Sequence, residues 1–419
     1  MMVPSFVMGS SGAFSEARIA RVAAAEPSII TTPAGDFLID APGPSAPFLW
    51  RGTPGGFTPL SLSGLGGGDS DVATDAGGTV YVIDTTDASG HATLPVASST
   101  DGGQTFSTHQ LSPAAGNWDR PWIVGGVSGT AYVIARDLKS GFIFAWGTDD
   151  NGLTWTGPVR TSASGSPYAS RPVVAGAGNI SFLYCNAETM LARSTDRGLT
   201  WKSIVVSPNY GCDLFPTLAY DSSGNLFAAW YTEPNAPLQT AVEYEAIYFA
   251  SSTDAGLTWS STIPITKEQL GTSSTGTAVF PRIVAGGSGR VAIAFYQSNW
   301  TAASDAAPPI TSWDVEVAWA LDGTSASPTF TTTMVAPSFH TGSICRLGTD
   351  CAGPTLGKSV NAPLPMDRRE LDFFGDAIDP SGALEIVHPR DVDGSNLTGT
   401  TTIVNDVVVD TETSGPMFS

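Results

Sequence analysis

The chain has 419 residues, 39 acidic against 19 basic, for a formal net charge of −20. That balance excludes a nucleic-acid backbone as partner, which requires a basic footprint, and no apolar run reaches the ~18 residues needed to span a membrane. With 46 Gly, 30 Pro and only 14% charged residues, the composition fits many short strands joined by turns.

In chain order, residues 1–12 lack the basic n-region and cleavage-like site of a secretory leader, so no signal peptide is visible. Residues 13–25 (AFSEARIARVAAA) fit either a short helix capped by Ser15 or the outermost strand of a closed ring. The segment 1–25 is therefore separated from a single domain over 26–419. Seven segments within that domain then share one pattern, an apolar strand, a turn at Gly and a second strand rich in Val, Tyr, Phe and Ala. They begin at Glu26, Asp71, Asp119, Ser170, Asp213, Phe280 and Asp372. Each reads as a hairpin of two inner strands of a blade. The expectation is an all-β propeller of seven four-stranded blades, with six blades and one irregular sheet as the alternative. Such a fold exceeds the usual single-core size because it grows by radial repetition.

A second repeat lies downstream of four of these hairpins. Ser99–Phe106 (STDGGQTF), Thr148–Trp155 (TDDNGLTW), Ser194–Trp201 (STDRGLTW) and Ser252–Trp259 (STDAGLTW) share Ser/Thr-x-Asp-x-Gly-x-Thr-Trp/Phe. Their Asp residues, Asp101, Asp150, Asp196 and Asp254, are 49, 46 and 58 positions apart, room for one four-stranded unit. Asp accepts from backbone N–H groups of a tight turn, Gly supplies positive φ, and the aromatic turns inward. A degenerate copy spans Arg51–Thr58 with Pro54 in the Asp position, and around Asp322 little but the Asp remains. The four motifs resemble the Asp-box, or BNR repeat, of sialidase-like β-propellers, including bacterial exo-alpha-sialidase-like proteins, over roughly residues 26–410. That resemblance implies that the boxes join third and fourth strands on the face opposite the ligand site, so these Asp are structural.

The resemblance also implies a ligand face made by the starts of the inner strands, the links between blades and the second-to-third-strand loops. The long excursions 231–241, 297–312 and 337–370 fall there. Arg120, Arg171 and Arg282 stand at similar places in three blades. Three guanidinium groups aimed at one funnel would hold a carboxylate or sulfate; the alternative is that each pairs with a neighbouring blade's Asp to seal the ring. Sialidases bind their substrate's carboxylate with three Arg, attack with a Tyr activated by a Glu, and use an Asp as acid/base. Their first Arg sits in a Phe/Tyr-Arg-Ile-Pro motif on the first blade, where this chain has Glu26-Pro27-Ser28-Ile29.

The leading expectation is recognition of an extracellular anionic glycan, with Arg120, Arg171 and Arg282 as ligands, Trp122 and Trp300 stacking on sugar, and His340 and His388 on ligand-face loops. The alternative is a sialidase-like glycoside hydrolase, with Tyr296 as nucleophile, Glu243 as its base and Asp119 or Asp372 as acid/base. A third is a structural or protein-binding propeller. Asp213, Asp305 and Asp314 are further carboxylates near the predicted funnel.

Cys345 and Cys351 close a short loop, and Cys185 and Cys212 would join neighbouring segments, though four Cys allow three connectivities. Bridges imply secretion or display at the cell surface. Asp391–Asn396 resembles the front of a calcium loop but lacks its Gly and Glu, so no metal or cofactor is expected. A monomer is expected, with a carbohydrate or glycoconjugate as partner.

Overall fold

The computed structural model describes residues 6–8, 13–111, 117–162, 165, 168–232, 245–266, 276–346, 351, 367–392, 404–414 and 418. After β1 (Phe6–Met8) and β2 (Phe14–Val22), strands follow in groups of four. Blade one holds β3 (Ser28–Thr31), β4 (Phe37–Ala41), β5 (Phe48–Thr53) and β6 (Gly56–Pro59). Blade two holds β7 (Ser70–Thr74), β8 (Val80–Asp84), β9 (Pro95–Ser99) and β10 (Ser107–Gln110). Blade three holds β11 (Trp118–Gly125), β12 (Ala131–Asp137), β13 (Ile143–Thr148) and β14 (Thr156–Arg160). Blade four holds β15 (Val173–Ala175), β16 (Asn179–Cys185), β17 (Thr189–Ser194) and β18 (Lys202–Ser207). Blade five holds β19 (Thr217–Tyr220), β20 (Leu226–Thr232), β21 (Ala246–Ser252) and β22 (Ile263–Pro264). Blade six holds β23 (Ala278–Ala285), β24 (Val291–Ser298), β25 (Ser312–Ala320) and β26 (Phe330–Thr341). Blade seven holds β27 (Gly375–Ile378), β28 (Leu384–Asp391) and β29 (Asn405–Glu412).

Consecutive strands are neighbours in every sheet, and the fold is a seven-bladed β-propeller. The fourth strand of blade seven is β2, antiparallel to β29 from Phe14↔Glu412 to Val22↔Asn405. The helical alternative for residues 13–25 is thereby replaced by the ring-closing strand. Arg21 fastens it with two hydrogen bonds to Asp406, at 2.8 and 2.9 Å. β1 adds in parallel to β26. Contact density divides the chain into two compact units, one of blades one to four over 28–186 and 190–205, the other of blades five to seven with residues 1–27 and 187–189.

The middle strands β8, β20, β21 and β24 are buried at every position. A blade packed on both faces explains why these strands read as continuous Val, Ala, Ile, Phe and Tyr, whereas outermost β14 alternates between exposed and half-buried positions.

Each box is a closed hydrogen-bonded turn. In blade three the Thr148 hydroxyl donates to Asp150 at 2.8 Å, Asp150 accepts from Thr154 N at 2.9 Å and from its hydroxyl at 2.6 Å, and Trp155 Nε1 donates to Gly152 O at 3.1 Å. The hydroxyl bond to Asp101, Asp196 and Asp254 is also 2.6 Å. Asn151, Arg197 and Ala255 stand at φ of 62°, 61° and 58°, and Gly102 at 76°, so two residues in succession are left-handed in every box. In blade one, where Pro54 replaces the box Asp, Arg51 instead bonds Asp36 at 2.5 Å and Gly102 O of blade two at 2.8 Å.

A second Asp repeats at the first hairpin of the blade. Asp75 accepts from Gly77 N and Thr79 N, Asp221 from Ser223 N and Asn225 N, and Asp379 from Ser381 N and Ala383 N. The other oxygen of Asp75 reaches Gly129 N of blade three, and that of Asp221 reaches Gly289 N of blade six, both at 2.8 Å. A shared carboxylate thus pins one blade to the next.

At the opposite ends of the inner strands, the residue before a proline is left-handed: Glu26, Arg120, Phe215 and Phe280, with φ between 49° and 56°. Proline disfavours the right-handed helical region for its predecessor. The strand is bulged there, between Asp119 and Trp122 and between Val279 and Arg282.

Candidate functional site

Antiparallel strands bring the starts of first and third strands and the end of the second to one edge of each blade. In blades five to seven that edge gathers charge. Asp213 precedes β19, Tyr231 lies near the end of β20, and Glu245 immediately precedes β21. A 3-10 turn at Ser304–Ala306 sits in the link from β24 to β25, and Arg346 follows β26.

Arg346 is the centre of the first cluster. Its guanidinium reaches Asp213 at 2.5 Å, Glu245 at 3.1 Å and Asp305 at 3.1 Å, and Nε donates to Ser304 Oγ at 3.0 Å. Its own N–H donates to Asp305 at 2.7 Å. Burial works to lower the Arg346 pKa, but Tyr231, Glu245, Asp213 and Asp305 outweigh it and hold it above the ordinary value. Glu245 is pushed up by burial against the pull of Arg346. Three carboxyl groups thus share one guanidinium. Asp213 and Asp305 keep 14% and 18% of their side chains exposed while Glu245 keeps none. Half-buried Trp300, whose indole donates to Ala303 O at 3.2 Å, lies on the same loop as Asp305.

The second cluster joins blades six and seven. His340 near the end of β26 lies 3.2 Å from Asp391 at the end of β28 and 3.5 Å from Glu370 in the link before β27. Arg369 completes it, 3.0 Å from Asp391 and 2.7 Å from Asp367. Glu370 is pushed up to about 7 by burial, against the pull of His340. Burial also works to raise Asp391, but His340 and then Arg369 hold it at about 2.

Tyr296, the expected nucleophile, is fully buried between Phe339 and Phe374, with ring centroids 4.4 and 4.5 Å away. It is a core residue, closed to a glycoside, and burial pushes its phenol well above the usual value. Glu243 lies outside the described residues. Asp119 pairs with Arg136 at 3.3 Å in the other unit. Asp372 is 2% exposed and held by both terminal nitrogens of Arg368.

The Arg expected to bind an acid group face carboxylates or rings instead. Arg171 lies 3.2 Å from Asp71 and donates to the carbonyls of Ile123 and Val72. That makes it a clasp between blades. Asp71 and its neighbour Asp40 are wholly buried, and burial raises both. Arg120 stands 3.8 Å from Asp69. Arg282 is 6% exposed with its guanidinium 4.6 Å over the Phe373 ring.

Trp122 is buried, its indole donating to Ala169 O at 3.1 Å, and presents no face to a sugar. His340 and His388 sit buried in strands, not on loops, because both fill the packing between β26 and β28. Cys345 and Cys351 form a disulfide, Cys185 and Cys212 are disulfide-bonded as well, and no cysteine is free.

Sequence reasoning missed Arg346, Glu245, Glu370, Arg369 and Asp391 as parts of a site. The available signal was composition: Arg346, Arg368 and Arg369 all fall in one long excursion of an Arg-poor chain. A cavity of about 250 Å³ lined by Tyr132, Trp146, Thr154, Arg197 and Leu199 lies beside the box turns.

No protein-family model and no curated protein matches the chain. Among solved structures, YCF48 bound to a D1 peptide aligns with a TM-score of 0.52 at 10% identity, over 98% of this chain and 97% of that one. A protein of unknown function from Dyadobacter fermentans gives 0.50 at 13% identity, over 96% and 100%. The GH74 enzyme of Niastella koreensis gives 0.50 at 18% identity, over 91% of this chain and 54% of its own. At these identities the likeness is one of fold.

Proposed function

We propose that the protein is a carbohydrate-directed propeller that works in an oxidising compartment and binds a hydroxyl-rich, uncharged stretch of glycan around Asp213, Asp305 and Trp300. One observation carries the reading. Arg346 fixes three carboxylates while leaving Asp213 and Asp305 partly exposed, and Asp305 shares its loop with the indole of Trp300. Fixed carboxylate oxygens accept from paired sugar hydroxyls, and an indole face stacks on a pyranose ring. An acid sugar fits less well, because Arg171 and Arg120 already face Asp71 and Asp69 and Arg346 faces three acids. The oxidised cysteines support the compartment, and one of the folds resembled belongs to a GH74 enzyme.

Glycoside hydrolysis is the second reading, favoured by one feature. Glu245, raised by burial, stands on the same guanidinium as the partly exposed Asp213 and Asp305, a pairing of buried and solvent-facing carboxyls suited to acid and base roles. Calorimetric titration with neutral and acidic oligosaccharides tests both. Neutral glycans should bind, and Asp305→Asn and Trp300→Ala should each weaken binding about 10-fold. Preference for sialylated or uronic ligands, unchanged in Asp305→Asn, would sink the reading. Release of reducing ends, lost in Glu245→Gln, would establish the hydrolase.

A further inference from the structure

We infer that His340, Glu370 and Asp391 form a divalent-metal site, of the kind that suits zinc, and that the ion staples blade six to blade seven. The three offer one imidazole nitrogen and two carboxylate oxygens within 4.8 Å of one another. Nδ1 lies 3.2 Å from Asp391 and 3.5 Å from Glu370. Tetrahedral zinc with bonds near 2.1 Å sets neighbouring ligand atoms about 3.4 Å apart, and the two imidazole-to-carboxylate distances match that spacing.

The tautomer points the same way. Nε2 of His340 faces the carbonyl oxygen of Ser343 at 3.0 Å. A carbonyl only accepts, so Nε2 carries a proton, and Nδ1 is the nitrogen left facing two carboxylates. A positive charge, a proton on Nδ1 or a metal ion, must stand between them. A carbonyl on the far nitrogen is the usual outer partner of a metal-bound imidazole.

Glu370 separates the metal from a simple proton. It is 2% exposed, and among the described residues neither of its oxygens makes a hydrogen bond. One proton on Nδ1 can serve one oxygen, and Asp391 is the nearer. Among the described residues, the carboxylates Glu370, Asp391 and Asp367 face one guanidinium, Arg369, and the His340 ring, a set rich enough in negative charge to take a cation. Beyond it, Arg282 and Glu26 stand near Tyr296 with opposite signs.

A second trio, Glu16, His388 and Asp410, supplies an internal contrast. There Nε2 of His388 meets Asp410 at 2.8 Å, Nδ1 meets Pro389 O at 2.7 Å, and Glu16 is taken by Arg390 at 3.0 Å. Both ring nitrogens already have protein partners, which leaves no position for a metal.

The test uses the full chain, without a polyhistidine tag, equilibrated with zinc, desalted and assayed by elemental analysis, then reloaded with cobalt. About one zinc per chain, a tetrahedral cobalt spectrum, and a melting temperature lowered by about 5 °C on chelation are expected. His340→Ala should lose the metal while His388→Ala keeps it. If His340→Ala does not fold, Glu370→Gln and the wild-type cobalt spectrum decide. Less than about one-tenth of an equivalent of zinc with no chelator effect on melting would overturn the inference. So would stoichiometric zinc retained in a folded His340→Ala.

Discussion

If the box carboxylates hold the blades by local hydrogen bonds, removing one should cost a calculable amount. Asp150 accepts three bonds, from the Thr148 hydroxyl and from Thr154 N and its hydroxyl, at 2.8, 2.9 and 2.6 Å. A bond to a charged group contributes about 1.5–3 kcal/mol when buried and nearer 1 where water competes, as it does at this half-exposed turn. Asp150→Ala should therefore cost about 3 kcal/mol, and Asp150→Asn, which keeps an acceptor, about 1. The loss includes the restraint on Asn151, whose φ of 62° is a left-handed conformation that the turn imposes.

Urea unfolding measures the cost as a shift in midpoint at unchanged slope. Leu153→Ala, at a position 58% exposed in the same turn, serves as the surface control. The sign of the pH dependence follows from the direction of the shift. Box carboxyls are lowered in the folded state, Asp254 to about 2, chiefly by the Thr258 hydroxyl. Their contribution is present above the unfolded value near 3.9 and is lost as pH falls toward 2, so wild type and Asp150→Ala should converge in acid. An Asp150→Ala cost no larger than that of Leu153→Ala, or one that persists at pH 2, would refute the mechanism.

Three further outcomes are expected. Glu316 on β25 is pushed up to about 7 by burial and by Asp314, so its stabilising protonated form is complete below about 4.3 and is lost as pH rises through 7. Glu316→Gln should then gain about 1–2 kcal/mol at pH 8 and nothing at pH 4, as read from paired urea curves. Tyr296→Phe removes a buried hydroxyl that has no hydrogen bond among the described residues, and should change stability by less than about 1 kcal/mol and leave glycan binding intact. A binding defect would return Tyr296 to the site. Deleting residues 1–22 exposes the edge of β29 and removes the Arg21–Asp406 pair, and should lower the melting temperature by roughly 10 °C or more, as calorimetry would show.

What could be read from residues alone divides along the range of the interactions. The box is built from bonds spanning two to four residues, so Ser/Thr, Asp, Gly and Thr recur at fixed spacing and announce themselves. The hairpin carboxylates Asp75, Asp221 and Asp379 are as local, yet they went unnoticed because their turns keep only Asp and Gly in common. Residues 14–22 stayed ambiguous between helix and strand because their partner, 405–412, is nearly the whole chain away.

The charged clusters were the hardest to read. Asp213 and Arg346 meet across 133 positions, and nothing in either neighbourhood indicates the other. Position within a blade placed Arg120, Arg171 and Arg282 near strand starts, but charge alone cannot distinguish an Arg awaiting an anion from one already clasped by Asp71 and two carbonyls. The same reasoning explains Trp122 and Tyr296, whose burial depends on strands from other segments. In a radial fold the repeat unit is written locally, while the function is composed from loops of different blades. A site hypothesis drawn from single blades therefore names charged residues without their partners, as Asp372 beside Arg368 and Glu370 beside His340 both illustrate.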